Sequence, residues 1–131
     1  MNYVFDGCAS LGSLKGLENW NTGNVTTMYD TFNYCQVLTD ISALKNWNTK
    51  NVTNMRGTFD CCYKLADLSP LSLWDVSNVA NTSYMFEACY ALVYLTGLEN
   101  WDISNTTNIS YMFYRCISLK NLTALKNWNT G

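Results

Sequence analysis

Residues 17–28 read LENWNTGNVTTM, and the phrase returns as LKNWNTKNVTNM at 44–55, LSLWDVSNVANT at 71–82 and LENWDISNTTNI at 98–109. It starts a fifth time as LKNWNTG at 125–131. Working outward from it, every prominent residue recurs at an interval of 27. Phe occupies 5, 32, 59, 86 and 113, Cys follows at 8, 35, 62, 89 and 116, and Leu at 11, 38, 65, 92 and 119. Further aliphatics stand at Leu14, Ile41, Leu68, Leu95 and Leu122, then at Leu17, Leu44, Leu71, Leu98 and Leu125. Trp closes each set at 20, 47, 74, 101 and 128. A fixed period in this range marks stacked repeats, each too small to bury its own apolar edge. Residues 1–131 therefore read as a single repeat array of about 4.5–5 coils, entered and left in mid-repeat. Its units are 5–31, 32–58, 59–85, 86–112 and 113–131.

The apolar spacing from Met55 through Phe59 and Cys62 to Leu65 is 4, 3, 3, the stripe of a short amphipathic helix. Thr53, with Thr26 and Thr107 in the same position, stands where a hydroxyl caps such a helix. The following L-x-x-L-x-x-L, LADLSPL at 65–71, is too short for a helix and reads as a brief strand. The opening phrase, rich in Asn, Asp, Gly and Ser, is the turn between them. Parallel strands lie about 4.8 Å apart and helices roughly 10 Å apart, a mismatch that curves a stack. The expected fold is thus α/β: a curved right-handed leucine-rich-repeat-like solenoid with short parallel strands on one face and short helices on the other.

The stretch MFEACYALVYLTGLENWDISNTTNISYMF (85–113) resembles the BspA-like leucine-rich repeats of bacterial surface lipoproteins and adhesins. The likeness rests on M-F-x-x-C-x-x-L, then L-x-x-L, a W-D-T-S-N-V-T phrase and M-x-x-M-F, and it covers the whole chain. It implies extracellular display at the cell surface, roles in adhesion and protein binding, and no catalytic residues.

Composition narrows the partners. An apolar share of 48% excludes a disordered chain, and a net charge of −2 without a basic stripe excludes phosphate-led nucleic-acid binding. No run reaches the roughly 20 apolar residues of a membrane span. With no His and no C-x-x-C, neither a metal nor another cofactor is expected. The in-register cysteines, Cys35, Cys62 and Cys89 among them, are expected to face the core as free thiols, kept about 10 Å apart and beyond bridging distance. Cys61 falls outside that set and reads as a surface thiol or half of a vicinal pair. Phe32, Phe59 and Phe86 with Trp47, Trp74 and Trp101 read as the core spine, the indoles bonding turn carbonyls. An exposed sugar-stacking ladder is the other reading of the tryptophans. Triplets such as Asn51-Val52-Thr53 match a glycosylation signal, but N-V-T is better read as turn plus cap. The carboxylates at 6, 60 and 87 share a solvated edge, which offers no acid–base pair.

Positions where the copies differ are the candidates for recognition. Tyr63 and Tyr90 share one register, with Tyr94 following, and Tyr84 and Tyr111 share another, with Tyr114 close by. Tyrosine clusters are frequent interface anchors, and they equally cover the flanks of neighbouring elements. The functional expectation is a non-catalytic module that binds protein or glycan on another cell or matrix. The alternative is a segment that self-associates end to end into filaments.

Overall fold

The computed structural model describes residues 1–129; the last two residues of the expected unit 113–131 lie outside the described residues. It corrects the expected fold class. Among the described residues there is no α-helix and no sheet, only three 3-10 turns, Ser42–Leu44, Ser69–Leu71 and Thr123–Leu125, and isolated parallel bridges. The leucine-rich-repeat solenoid of helices and strands is therefore not the architecture. What the 27-residue period builds is a stack of turns, bridged at Thr27, Asn54, Asn81 and Asn108 from one unit to the next.

Within a unit the inward residues are corners, each donating its N–H to the carbonyl of a corner three residues earlier. Cys35 bonds Phe32 at 3.3 Å, Leu38 bonds Cys35 at 3.1 Å, Leu44 bonds Ile41 at 3.0 Å and Trp47 bonds Leu44 at 3.0 Å. A chain of such turns places an apolar residue inside every three or four positions. A helix does the same, which is why the 4, 3, 3 spacing was ambiguous. The supposed helix cannot form because alternate N–H groups go to the next unit instead of to residue i−4. Those of Met28, Asp30, Phe32 and Tyr34 donate to the carbonyls of Asn54, Arg56, Thr58 and Asp60 at 2.8–2.9 Å. Two positions per unit are also left-handed, as at Asp30 (φ 49°) and Tyr34 (φ 56°), a conformation that ends helices. Each costs roughly 1–2 kcal/mol in a residue with a side chain, and the inter-unit bonds hold them.

The threonines do not cap. Thr53 Oγ1 donates to the Thr26 carbonyl one unit back, as Thr107 does to Ala80, each at 3.2 Å. The expected mismatch between faces is also absent: the Phe rings at 5, 32, 59, 86 and 113 stack at 5.4–5.7 Å, about the spacing of strands and not of helices. Phe32, Phe59, Phe86, Cys35, Cys62 and Cys89 are fully buried, and Trp47, Trp74 and Trp101 nearly so.

The L-x-x-L-x-x-L stretch takes two forms rather than a strand. Units carrying Ser-Ala-Leu, Ser-Pro-Leu or Thr-Ala-Leu form the 3-10 turn, its first N–H held by Asp40, Asp67 or Asn121. Units carrying Gly16 or Gly97 turn through φ 104° or 110°, and Glu18 or Glu99 takes the glycine N–H at 2.7 Å. A Cβ on Gly97 would overlap the backbone of Leu68 and Ser69 in the unit below. Gly97→Ala should therefore cost about 3 kcal/mol and lower the melting temperature by roughly 10 °C. Gly12→Ala, whose Cβ would meet only the Val37 carbonyl at 3.7 Å, should melt as wild type. Thermal unfolding of the two variants side by side checks this.

Candidate functional site

Because units lie about 5 Å apart, residues 27 apart in sequence become neighbours on the surface. Tyr63 and Tyr90, both half-buried, stack with ring centroids 4.8 Å apart at 11°. Tyr84 and Tyr111 stack at 5.1 Å, and Tyr114 meets Tyr111 edge-on at 5.4 Å. The Arg115 guanidinium covers the Tyr114 ring at 5.4 Å, and its charge is felt by Tyr90. These contacts gather five of the six candidate tyrosines into a belt of two clusters, Tyr63 with Tyr90 and Tyr84 with Tyr111 and Tyr114, with Arg115 within electrostatic reach of both. Tyr94, 52% exposed, stands apart, with Lys120 over its ring.

The belt runs further than the sequence suggested. Arg56 lies between the rings of Tyr29 and Tyr84, at 5.1 and 4.8 Å, and reaches the Tyr29 hydroxyl at 2.9 Å and Asp30 at 3.8 Å. Tyr34 and Tyr63 flank Cys61, whose thiol is pushed up to about 11 by burial and by Asp60. Tyr29, Tyr34 and Arg56 were not among the candidates because residue type changes along their columns: Tyr29 shares its register with Arg56 and Tyr34 with Cys61. The signal was there in residues 26 to 28 apart, which only the stack spacing identifies as neighbours.

All six thiols are free. The reason given for this needs correction, since units about 5 Å apart do not hold cysteines beyond bridging distance. Instead Cys35, Cys62, Cys89 and Cys116 each donate to a Phe carbonyl 30 residues earlier, at 3.1–3.4 Å. Burial pushes Cys35 up to about 12. The tryptophans are not an exposed ladder over most of the stack: Trp47, Trp74, Trp101 and Trp128 donate Nε1 to Leu carbonyls 30 residues back at 2.8–3.0 Å, and only Trp20 is 42% exposed. Asn51 and Asn105 spend their amides on the carbonyls of Gly23 and Ser77, both at 2.8 Å. Among the described residues no group of three or more metal-ligating side chains converges, and no helix is long and apolar enough to cross a membrane.

Under the belt, burial raises Asp60 to about 6, with Glu87 adding to the shift, and one of its oxygens is buried with no hydrogen-bond partner. The folded form thus holds this proton more tightly than the unfolded chain, whose carboxyl titrates near 3.9. Its contribution to stability is complete below about pH 4 and is lost as pH rises through about 6. Asp60→Asn removes that dependence. The variant's melting temperature relative to wild type should be higher at pH 7.5 than at pH 4.5, as paired thermal melts will show.

Residues 1–128 match the family described as "Mycoplasma protein of unknown function, DUF285", and the chain belongs to it. This corrects the BspA-like leucine-rich-repeat assignment, and with it goes the ground on which display at a cell surface was expected. No curated protein and no solved structure matches the chain.

Proposed function

We propose that this member of the DUF285 family is a non-catalytic interaction module that binds protein or glycan on another cell or matrix through its tyrosine belt. The observation that carries the reading is the ordering of the belt's two clusters: stacked Tyr63 and Tyr90, and stacked Tyr84 and Tyr111 with Tyr114, flanked by Arg56 and Arg115. Stacking fixes these side chains before a partner arrives, so little rotamer entropy remains to be lost on binding. Tyrosine faces and hydroxyls together suit sugar rings as well as peptide surfaces.

Acid–base properties favour binding over chemistry. Tyr63 is raised to about 12, chiefly by desolvation, and Cys61 to about 11, so both stay protonated at neutral pH. A protonated thiol is a poor nucleophile, whereas a protonated phenol remains a hydrogen-bond donor.

The test is a glycan and matrix-protein array probed with wild type and with Tyr63→Ala/Tyr90→Ala. Truncating two central anchors should weaken the bound ligand's affinity at least about tenfold. The Tyr63→Phe/Tyr90→Phe variant, which keeps the stack, should fall between. A wild type that binds nothing, or a ligand held equally by the alanine variant, overturns the reading. Labelling of intact against permeabilised cells checks the surface setting.

A further inference from the structure

Two buried oxygens in neighbouring units of the stack have no hydrogen-bond donor among the described residues: Asn33 Oδ1 and Asp60 Oδ1. The two residues are one 27-residue step apart, and the Tyr34 N–H donates to the Asp60 carbonyl at 2.8 Å, so their side chains leave adjoining rungs at the same register. Asn33 thus turns its oxygen inward, toward the layer that also holds the buried carboxyl oxygen. Two acceptors without a donor are costly to bury. One proton satisfies both. Protonated, Asp60 carries an O–H that the Asn33 amide oxygen accepts one unit away, and neither oxygen is then unmet.

The surroundings of Asp60 set when that proton leaves. Burial holds it up to about 6, Glu87 and Asp30 add to the shift, and the Cys61 thiol and Arg56 oppose it. Tyr34, Cys62 and Cys89 also lie within electrostatic reach, and all three are pushed up, so they stay neutral at neutral pH. Once ionised, Asp60 needs donors. The Asn33 amide supplies one by turning over, because its last torsion is soft and two-fold and the exchange brings N–H2 to where the oxygen was. The second donor is the Cys61 thiol, which lies against Asp60 and against the hydroxyls of Tyr34 and Tyr63. With its S–H given to the carboxylate, the sulfur is left to accept from a phenol, and the Tyr63 O–H is drawn inward. While Asp60 keeps its proton, the S–H is free for a phenol oxygen and the Tyr63 O–H points outward.

We propose that Asp60 and Asn33 form a proton-operated latch on the belt: protonated Asp60 donates to the Asn33 amide oxygen, and loss of the proton turns the amide over and draws the Tyr63 hydroxyl inward. The latch rests on the belt reading only for its use, which is to set when Tyr63 offers a donor to a partner. The belt is tested with ligands and the latch without one, so either fails alone.

NMR of the isotopically labelled full chain, titrated without ligand between about pH 4 and about pH 8, tests the latch. The Asp60 carboxyl carbon should shift with a midpoint near 6. The Asn33 side-chain N–H2 signals and the Tyr63 ring carbon bearing the hydroxyl should follow the same midpoint. Contacts from the Asn33 N–H2 to the Asp60 methylene should appear only above it. Glu87→Gln removes a negative neighbour, so the Asp60 and Asn33 midpoints should fall together. In Asp60→Asn the Asn33 and Tyr63 signals should show no step near pH 6. Asn33 signals that ignore the Asp60 titration, an N–H2 that already faces Asp60 below the midpoint, midpoints that separate in Glu87→Gln, or a Tyr63 carbon that does not move overturns the proposal.

Discussion

The rest of this structure depends on a backbone bond between units, in which alternate N–H groups of one unit donate to carbonyls of the next, as Phe32 does to Thr58 at 2.9 Å. The remaining N–H groups are spent on three-residue turns within the unit, as Cys35 is on Phe32. Every segment is thereby tied in two directions, and no continuous helix or strand is needed to satisfy it. The same division of donors sets the spacing between units at roughly that of neighbouring strands, and the Phe rings at 5.4–5.7 Å record it.

That spacing explains which polar groups the core accepts. The Phe5 carbonyl takes the Cys8 N–H within its unit and the Cys35 thiol from the next. The Leu17 carbonyl likewise takes the Trp20 N–H and the Trp47 indole, and the Met28 carbonyl takes the Thr31 N–H and the Thr58 hydroxyl. A buried carbonyl has two lone pairs, and an unmet one is costly to bury. Cys, Trp and Thr at these registers are hydrophobic fillers that each bring one donor. Thr82, buried in the register that Met28 and Met55 fill elsewhere, has no such carbonyl, and its hydroxyl is without a partner among the described residues.

The period, the identity of the core residues and the turn phrase were legible in the sequence, because burial and turn chemistry act on residue type directly. Helix against chained turns was not, since both bring an apolar residue inward every three or four positions. The deciding feature is the left-handed pair in each unit, and Tyr34, Cys61, Ala88 and Arg115 share no side-chain property that would announce it. The tyrosine candidates were legible as columns but not as a belt. Arg56 joins Tyr29 to Tyr84, across positions that become adjacent only once the spacing between units is known.

Close stacking also constrains charge. Like charges about 5 Å apart repel by roughly 1–3 kcal/mol at the effective dielectric of a protein surface, so a repeated charged residue penalises every junction. Neutral Phe, Tyr, Asn and Thr columns carry no such penalty, which fits a chain only 14% charged. Where charges of opposite sign fall 26 apart they attract, as Asp30 and Arg56 do. Three columns place two carboxyls one unit apart: Asp40 with Asp67, Asp75 with Asp102 and, half-buried, Asp60 with Glu87. At Asp60 the repulsion adds to desolvation, and the carboxyl holds its proton up to about 6, whereas hydrogen bonds from Ser42, Ser77 and Ser104 hold Asp40, Asp75 and Asp102 below the usual carboxylate range. Burial, more than like charge one unit away, thus decides where the stack gives up an ionised carboxylate.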